Sequence, residues 1–163
     1  MARYDTKALA VFNTVCRVLD SKSLKYTADK EKLLVFLSAR GEDLPINLFF
    51  RVDDDRNMLT VHSILDTEVT SDKRVEFAVA INMANLSLVN GTFDFDIESG
   101  RIVYRMSHPY LNGTVSDAIV DYLTMCSFST VDEYNDSFLM LNKGMIDIAK
   151  FIELEKAKGE EDV

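Results

Sequence analysis

Ile46-Asn47-Leu48-Phe49-Phe50-Arg51-Val52 and, a few residues on, Leu59-Thr60-Val61-His62-Ser63-Ile64-Leu65 form the stretch that decides the fold. In the first run Ile46, Leu48, Phe50 and Val52 point one way, and Asn47, Phe49 and Arg51 the other. In the second, Leu59, Val61, Ser63 and Leu65 alternate with Thr60, His62 and Ile64. A period of two is the period of a half-buried strand. The polar turn Asp53-Asp54-Asp55-Arg56-Asn57 between them is too short for a crossover, so the two strands are antiparallel neighbours.

Towards the N-terminus the period first stays at two. Lys32 to Ala39 reads as an apolar strand buried on both faces, and Leu24 and Tyr26 suggest a shorter one before it. Earlier still, Leu9, Phe12, Cys16 and Leu19 recur at three- and four-residue spacing, which predicts a helix over Asp5 to Asp20. Asp5 or Thr6 caps its start, and Ser21-Lys22-Ser23 ends it.

Towards the C-terminus, Ser71 or Asp72 caps a second helix. Val75, Val79, Asn82 and Leu86 lie on one stripe of it, with Phe77, Ala78, Ile81 and Met83 close by. Apolar over so much of its circumference, it should be sandwiched or shared with a partner. Phe93, Phe95 and Ile97, then Ile102, Tyr104 and Met106, make a hairpin around Glu98-Ser99-Gly100. A third helix starts at Thr114 or Ser116 and turns Ile119, Val120, Leu123 and Cys126 inward. Thr130-Val131-Asp132-Glu133 has the form of a capping box and predicts the start of a fourth. From there Val131, Tyr134, Phe138, Leu141, Met145, Ile148 and Ile152 repeat as a heptad seam, with Gly144 marking a bend. The order is α-ββββ-α-ββ-α-α. Strands grouped between helices predict an α+β fold, an antiparallel sheet with helices packed on it. Residues 1–158 are expected to form one domain with a C-terminal amphipathic helix, and residues 159–163 a frayed charged tail.

The chain has 163 residues and a net charge of −9. Binding to nucleic acid calls for a basic patch that releases counterions, and the scattered Lys22, Lys25, Lys30 and Lys32 are not one. No window has the run of apolar residues that crosses a membrane. Met1-Ala2-Arg3-Tyr4-Asp5 lacks a signal-peptide core, and Cys16 and Cys126 read as buried thiols, so the expected compartment is the cytoplasm.

Catalytic constellations are not found. His62 and His108 are the only histidines, too few and too far apart for a zinc site. No local pattern around Cys16 or Cys126 supports a nucleophile paired with His62. Asp53-Asp54-Asp55 lacks the glycine and terminal glutamate of a calcium loop. Asp94 and Asp96 share a strand face, where two carboxylates are most simply solvated. Asn82 and Asn85 are three apart on the second helix, and their amides, that of Asn85 especially, suit hydrogen bonding to backbone at the helix end or at the neighbouring hairpin rather than a ligand. No catalytic residue, cofactor or metal is expected.

The order of elements, with Ile81-Asn82-Met83-Ala84-Asn85-Leu86 near the end of the second helix, resembles the YbjN family of bacterial proteins. There a helix carrying two asparagines three apart leads into a hairpin, here Gly91-Thr92-Phe93-Asp94-Phe95-Asp96 and Gly100-Arg101-Ile102-Val103-Tyr104-Arg105. The resemblance covers Asp5 to Leu141. One departure is Ser21-Lys22-Ser23, where a glycine is expected. The resemblance implies the fold of type III secretion chaperones, and family members are described as sensory-transduction regulators.

Two surfaces are expected to meet a protein partner or a second copy. One is the second helix, through Val75, Val79, Met83 and Leu86, which the resemblance places at a dimer interface. The other is the end of the heptad seam, through Met145, Ile148, Phe151 and Ile152, which runs beyond the resembling region. The expected function is a non-enzymatic, chaperone- or adaptor-like protein-binding module, as a homodimer. The alternative is a small-molecule-sensing regulator whose concave sheet face is a pocket lined by Tyr26, Phe36, Phe49, Phe93 and Tyr104.

Overall fold

Asp5 caps the first helix as its position suggests, accepting the Lys7 amide on its carboxylate at 3.2 Å. A computed structural model of the chain describes residues 4–111 and 113–161. Helix α1 spans Thr6–Ser21, and then come strands β1 (Tyr26–Asp29), β2 (Leu34–Arg40), β3 (Pro45–Asp53) and β4 (Met58–Glu68). A short 3-10 turn over Ser71–Lys73 leads into α2 (Arg74–Ser87), followed by β5 (Thr92–Asp96), β6 (Arg101–Pro109), α3 (Asp117–Asn142) and α4 (Ile148–Glu161). The strands form one six-stranded sheet in the order β1-β2-β3-β4-β6-β5, and every neighbouring pair is antiparallel. The fold is α+β, with the helices on one face of the sheet.

The register explains the alternation. Ile46, Leu48, Phe50 and Val52 of β3 and Leu59, Val61 and Leu65 of β4 are buried under the helices. Their alternates, Phe49, Arg51, Thr60, His62 and Ile64, stand on the open face. Strand β2 obeys the same rule and corrects an expectation. Val35 and Leu37 are buried, but Phe36 and Ser38 are exposed. It is buried on one face only, because no helix covers the other.

The turn after α1 holds no glycine, yet it takes the form that glycine usually permits. Ser23 adopts φ 56°, its N–H donates to the Asp20 carbonyl at 2.9 Å, and the Leu24 N–H donates to the Leu19 carbonyl at 3.1 Å. This is a Schellman closure with serine in the left-handed position.

The helical end of the chain differs most from expectation. The capping box at Thr130 is not used. Helix α3 runs straight through it, because no glycine or proline interrupts Asp117–Asn142 and its buried side is continuous. That side carries Val120, Leu123, Ser127, Val131, Tyr134, Phe138 and Leu141. Gly144 does not bend a helix but ends one. At φ 68° it donates to the Leu141 carbonyl at 3.1 Å, while Met145 donates to the Met140 carbonyl at 2.9 Å. The heptad seam is thus cut, and α4 folds back against α2 and α3. The expected frayed tail is likewise helical as far as Glu161; Asp162 and Val163 lie outside the described residues. Nor does Ser71 or Asp72 cap α2, which the 3-10 turn enters from Thr70 without a side-chain cap. His108, expected in a connection, belongs to β6.

Between sheet and helices, Phe93, Tyr134, Phe138 and Phe151 join Phe77 and Tyr104 in a buried aromatic cluster. Phe138 meets Phe93 edge-on at 5.3 Å and stacks on Phe151 at 5.8 Å. Such pairs add about 0.5–1.5 kcal/mol each beyond area burial.

Candidate protein-binding surface

Helix α2 has two apolar sides. Phe77, Ala80, Ile81 and Ala84 face the core and are buried. On the opposite side, at spacings of four, three and four, stand Val75, Val79, Asn82 and Leu86. Val75 is 75% exposed and Leu86 73%, and Val79 is exposed as well. Val89, two residues past the helix end, is 94% exposed. Scattered exposed apolar residues are ordinary, whereas Val75, Val79 and Leu86 form a row along one side of a helix. Met83 lies half-buried beside the core, flanking the row.

The remaining candidate residues divide. Met145, in the connection after Gly144, is 69% exposed. Lys73 at the start of α2 donates to the Leu141 carbonyl at 2.7 Å, which seats that connection beside the N-terminal end of α2. Ile148 and Ile152 are half-buried, and Ile148 packs on the core of its own chain. Phe151 is 1% exposed. This is a correction: Phe151 is enclosed by its own chain and offers nothing to a partner, because α4 turns back onto α2 and α3 once Gly144 has ended the seam.

A buried polar group holds α4 in place. The Tyr134 hydroxyl donates to Glu155 at 2.6 Å, and Lys158 Nζ stands 2.9 Å from the other carboxylate oxygen, 2.8 Å from Glu133 and 4.3 Å over the Tyr134 ring. Glu155 is 2% exposed. Burial and the adjacent carboxylate push the Tyr134 hydroxyl well above the usual phenol range, so it stays a donor. No sequence pattern pointed to Glu155, which sits in a run of charged residues.

Asn85 does what its position suggested. Its amide donates to the Phe93 carbonyl at 3.0 Å, and its oxygen accepts the Phe93 N–H at 2.7 Å. Asn82 is exposed. Asp94 is held by Arg105, and Asp96 accepts from Ser99 and from the Glu98 amide, which keeps its carboxyl below the ordinary range. His62 stands on the open face, whereas Cys16 and Cys126 pack on the helix side, so the sheet separates His62 from both thiols. Burial raises the Cys16 thiol above its usual pKa. Among the described residues, no group of three or more His, Cys, Asp or Glu is arranged to hold a metal. No helix among them is long and apolar enough to cross a membrane.

The expected aromatic pocket is not formed. Phe93 and Tyr104 are buried on the helix side, while Phe36 and Phe49 project from the open face. Tyr26 shares the register position of Leu37, again on the helix side. The alternation of the strands sends the five residues to opposite faces.

A family model described as "YbjN: Putative bacterial sensory transduction regulator" matches residues 12–140, a span that stops short of α4. No curated protein sequence matches the chain. Among solved structures, "YbjN, a putative transcription regulator from E. coli" superposes with a TM-score of 0.59 at 13% identity, covering 77% of this chain and 88% of that one. A chain of the HopA1–SchA chaperone–effector complex gives 0.57 at 14% identity, over 82% of this chain and 99% of that one. A chain of the ExsC–ExsE complex gives 0.54 at 9% identity, over 81% and 95%. At such identities the likeness is one of fold.

Proposed function

The chain belongs to the YbjN family, and from that footing we propose that it is a non-enzymatic protein-binding module of chaperone or adaptor type, acting as a homodimer in the cytoplasm. The observation that carries this reading is the outward row Val75, Val79 and Leu86 on a helix whose other side already fills the core. Two copies of α2 laid together about a two-fold axis would bury both rows, since an isologous contact uses the same patch on each subunit. Met83 and Met145 would border it and adapt to the partner surface. The fold is shared with chains from a chaperone–effector complex, which supports a protein as the second ligand. Two free cysteines are in keeping with a reducing compartment.

Sedimentation equilibrium at micromolar concentration tests the reading, with the double variant Val79→Asp, Leu86→Asp beside the wild type. The wild type should have twice the mass of the chain. The variant should be a monomer with unchanged circular dichroism, because both side chains are exposed in the single chain. A monomeric wild type removes the homodimer.

A further inference from the structure

The open face of the sheet carries an organised polar cleft that the dimer would not use. Cross-strand pairing sets Phe36, Phe49, His62 and Arg105 side by side in one row, through Phe36↔Phe49, Phe49↔His62 and His62↔Arg105. The next row on the same face holds Arg51, Thr60 and Ser107, through Arg51↔Thr60 and Thr60↔Ser107. Arg51, Arg56, Thr60, His62, Arg105 and Ser107 line a cleft of about 270 Å³, together with Met58 and the carboxylate-bearing Asp53.

The charge in this cleft runs against the chain as a whole, whose net charge is −9. Arg51 makes no ion pair among the described residues. Arg105 is engaged through Nε and one Nη by Asp94 at 2.6 and 3.1 Å, which leaves its remaining N–H donors free. Arg56 leans on Asp53 at 3.4 Å. Three guanidiniums therefore meet two carboxylates, and Thr60 and Ser107 add hydroxyl donors. Half-buried His62 sits between Arg51 and Arg105; its burial, then the charge of Arg105, holds its pKa below 6.5 despite Asp94. Forked guanidiniums converging with hydroxyls suit the oxygens of a phosphate group.

Beside this anion cradle lies an exposed pair of aromatic rings. Phe36 and Phe49 are 37% and 36% exposed, with ring centroids 4.8 Å apart and planes tilted by 37°. Aromatic rings on an uncovered sheet are stacking platforms for heterocyclic bases. The span fits as well. Two residues along a strand put Phe49 about 6.5 Å from Arg51, and two strand spacings put it about 10 Å from Arg105. Repulsion by the net charge of the chain grows with the charge of the ligand, so it weighs far more against a polynucleotide than against a single nucleotide.

We propose that the open face binds a nucleoside phosphate, with its phosphate between Arg51 and Arg105 and its base on Phe36 and Phe49. The proposal is independent of the dimer, since α2 lies on the other side of the sheet.

The test follows the imidazole resonances of His62 by NMR while ADP, pyrophosphate, adenosine or poly-aspartate is added to the full chain. His108 shares the register position of Leu59 on the opposite face and serves as the internal reference. ADP should shift His62 and not His108, and should raise the His62 pKa, since an anion favours the imidazolium. Arg51→Gln and Phe49→Ser should each weaken ADP binding at least about tenfold, and pyrophosphate and adenosine should each bind at least about tenfold more weakly than ADP. Should Arg51→Gln fail to fold, Arg51→Lys replaces it, keeping the charge and losing the fork. No shift of His62 at millimolar ADP would overturn the proposal. So would pyrophosphate binding as tightly as ADP, or poly-aspartate binding where ADP does not.

Discussion

Asn85 pairs with Phe93 as one strand residue pairs with another, its amide donating to the Phe93 carbonyl and accepting the Phe93 N–H. Strand β5 is the edge of the sheet. A helix side chain thereby occupies the outward backbone groups of an edge residue and pins the hairpin to α2. An open edge is otherwise a template for unwanted pairing.

Asn85→Ala should destabilise the chain by about 1–3 kcal/mol, because it strands two part-buried backbone groups together. Asn82→Ala should change stability by no more than about 0.5 kcal/mol, since that side chain is exposed. Urea unfolding of both variants checks the contrast; equal effects would show that Asn85 is not the tie.

Ser23→Gly should stabilise the chain by about 0.5–1 kcal/mol. Serine holds φ 56° there, in a region that costs a residue bearing Cβ energy and glycine nothing. Glycine also loses more chain entropy on folding, which offsets part of the gain. The measurement is the urea midpoint, and a lowered midpoint would contradict the argument.

Phe151→Ala should cost about 3–5 kcal/mol, the usual range for an aromatic removed from a core. Met145→Asp should leave the circular dichroism of the folded chain unchanged, because that side chain is exposed in the single chain. If α4 were docked on another molecule instead of its own chain, Phe151→Ala would leave the monomer stable and abolish association.

Tyr134→Phe should cost about 1–3 kcal/mol, since it deprives the buried Glu155 carboxylate of its hydroxyl donor. In a Glu155→Leu background the same change should cost much less, the acceptor having gone. A double-mutant cycle on thermal unfolding reads this coupling, and additive effects would show that the bond contributes nothing.

His62 should make the chain less stable in acid. Its folded pKa lies below 6.5, so the unfolded chain takes up the proton more readily. The contribution is present in full above the unfolded value and is lost as pH falls through the folded one. Between about pH 7 and pH 5, His62→Gln should therefore lose less thermal stability than the wild type. Equal losses would place the acid sensitivity elsewhere.

The strands were legible because alternation is a local property: the residues of β3 and β4 fall on their faces as the period of two required. The role of Asn85 was legible in part: a side chain near a helix end that leads into a hairpin bonds backbone at one or the other, and it is the hairpin residue Phe93 that it meets. Which apolar side of α2 turns inward was not legible. Val75, Val79 and Leu86 make as good a stripe as Phe77, Ala80, Ile81 and Ala84, and the choice is made by Phe77 meeting Phe95 and Phe138, residues distant in sequence. The end of the chain misled for a related reason. A capping box and a heptad seam are local patterns, but a helix stops where its backbone groups find other partners. Here Thr130 lies inside a helix with nothing to break it, and Gly144 closes one through the carbonyls of Met140 and Leu141. By itself the sequence determined the order of elements as far as the start of α3 and the faces of β3 and β4. Only the tertiary structure decided which helix side is left free and which polar residues meet across the open sheet, because both depend on contacts between segments that no local period encodes.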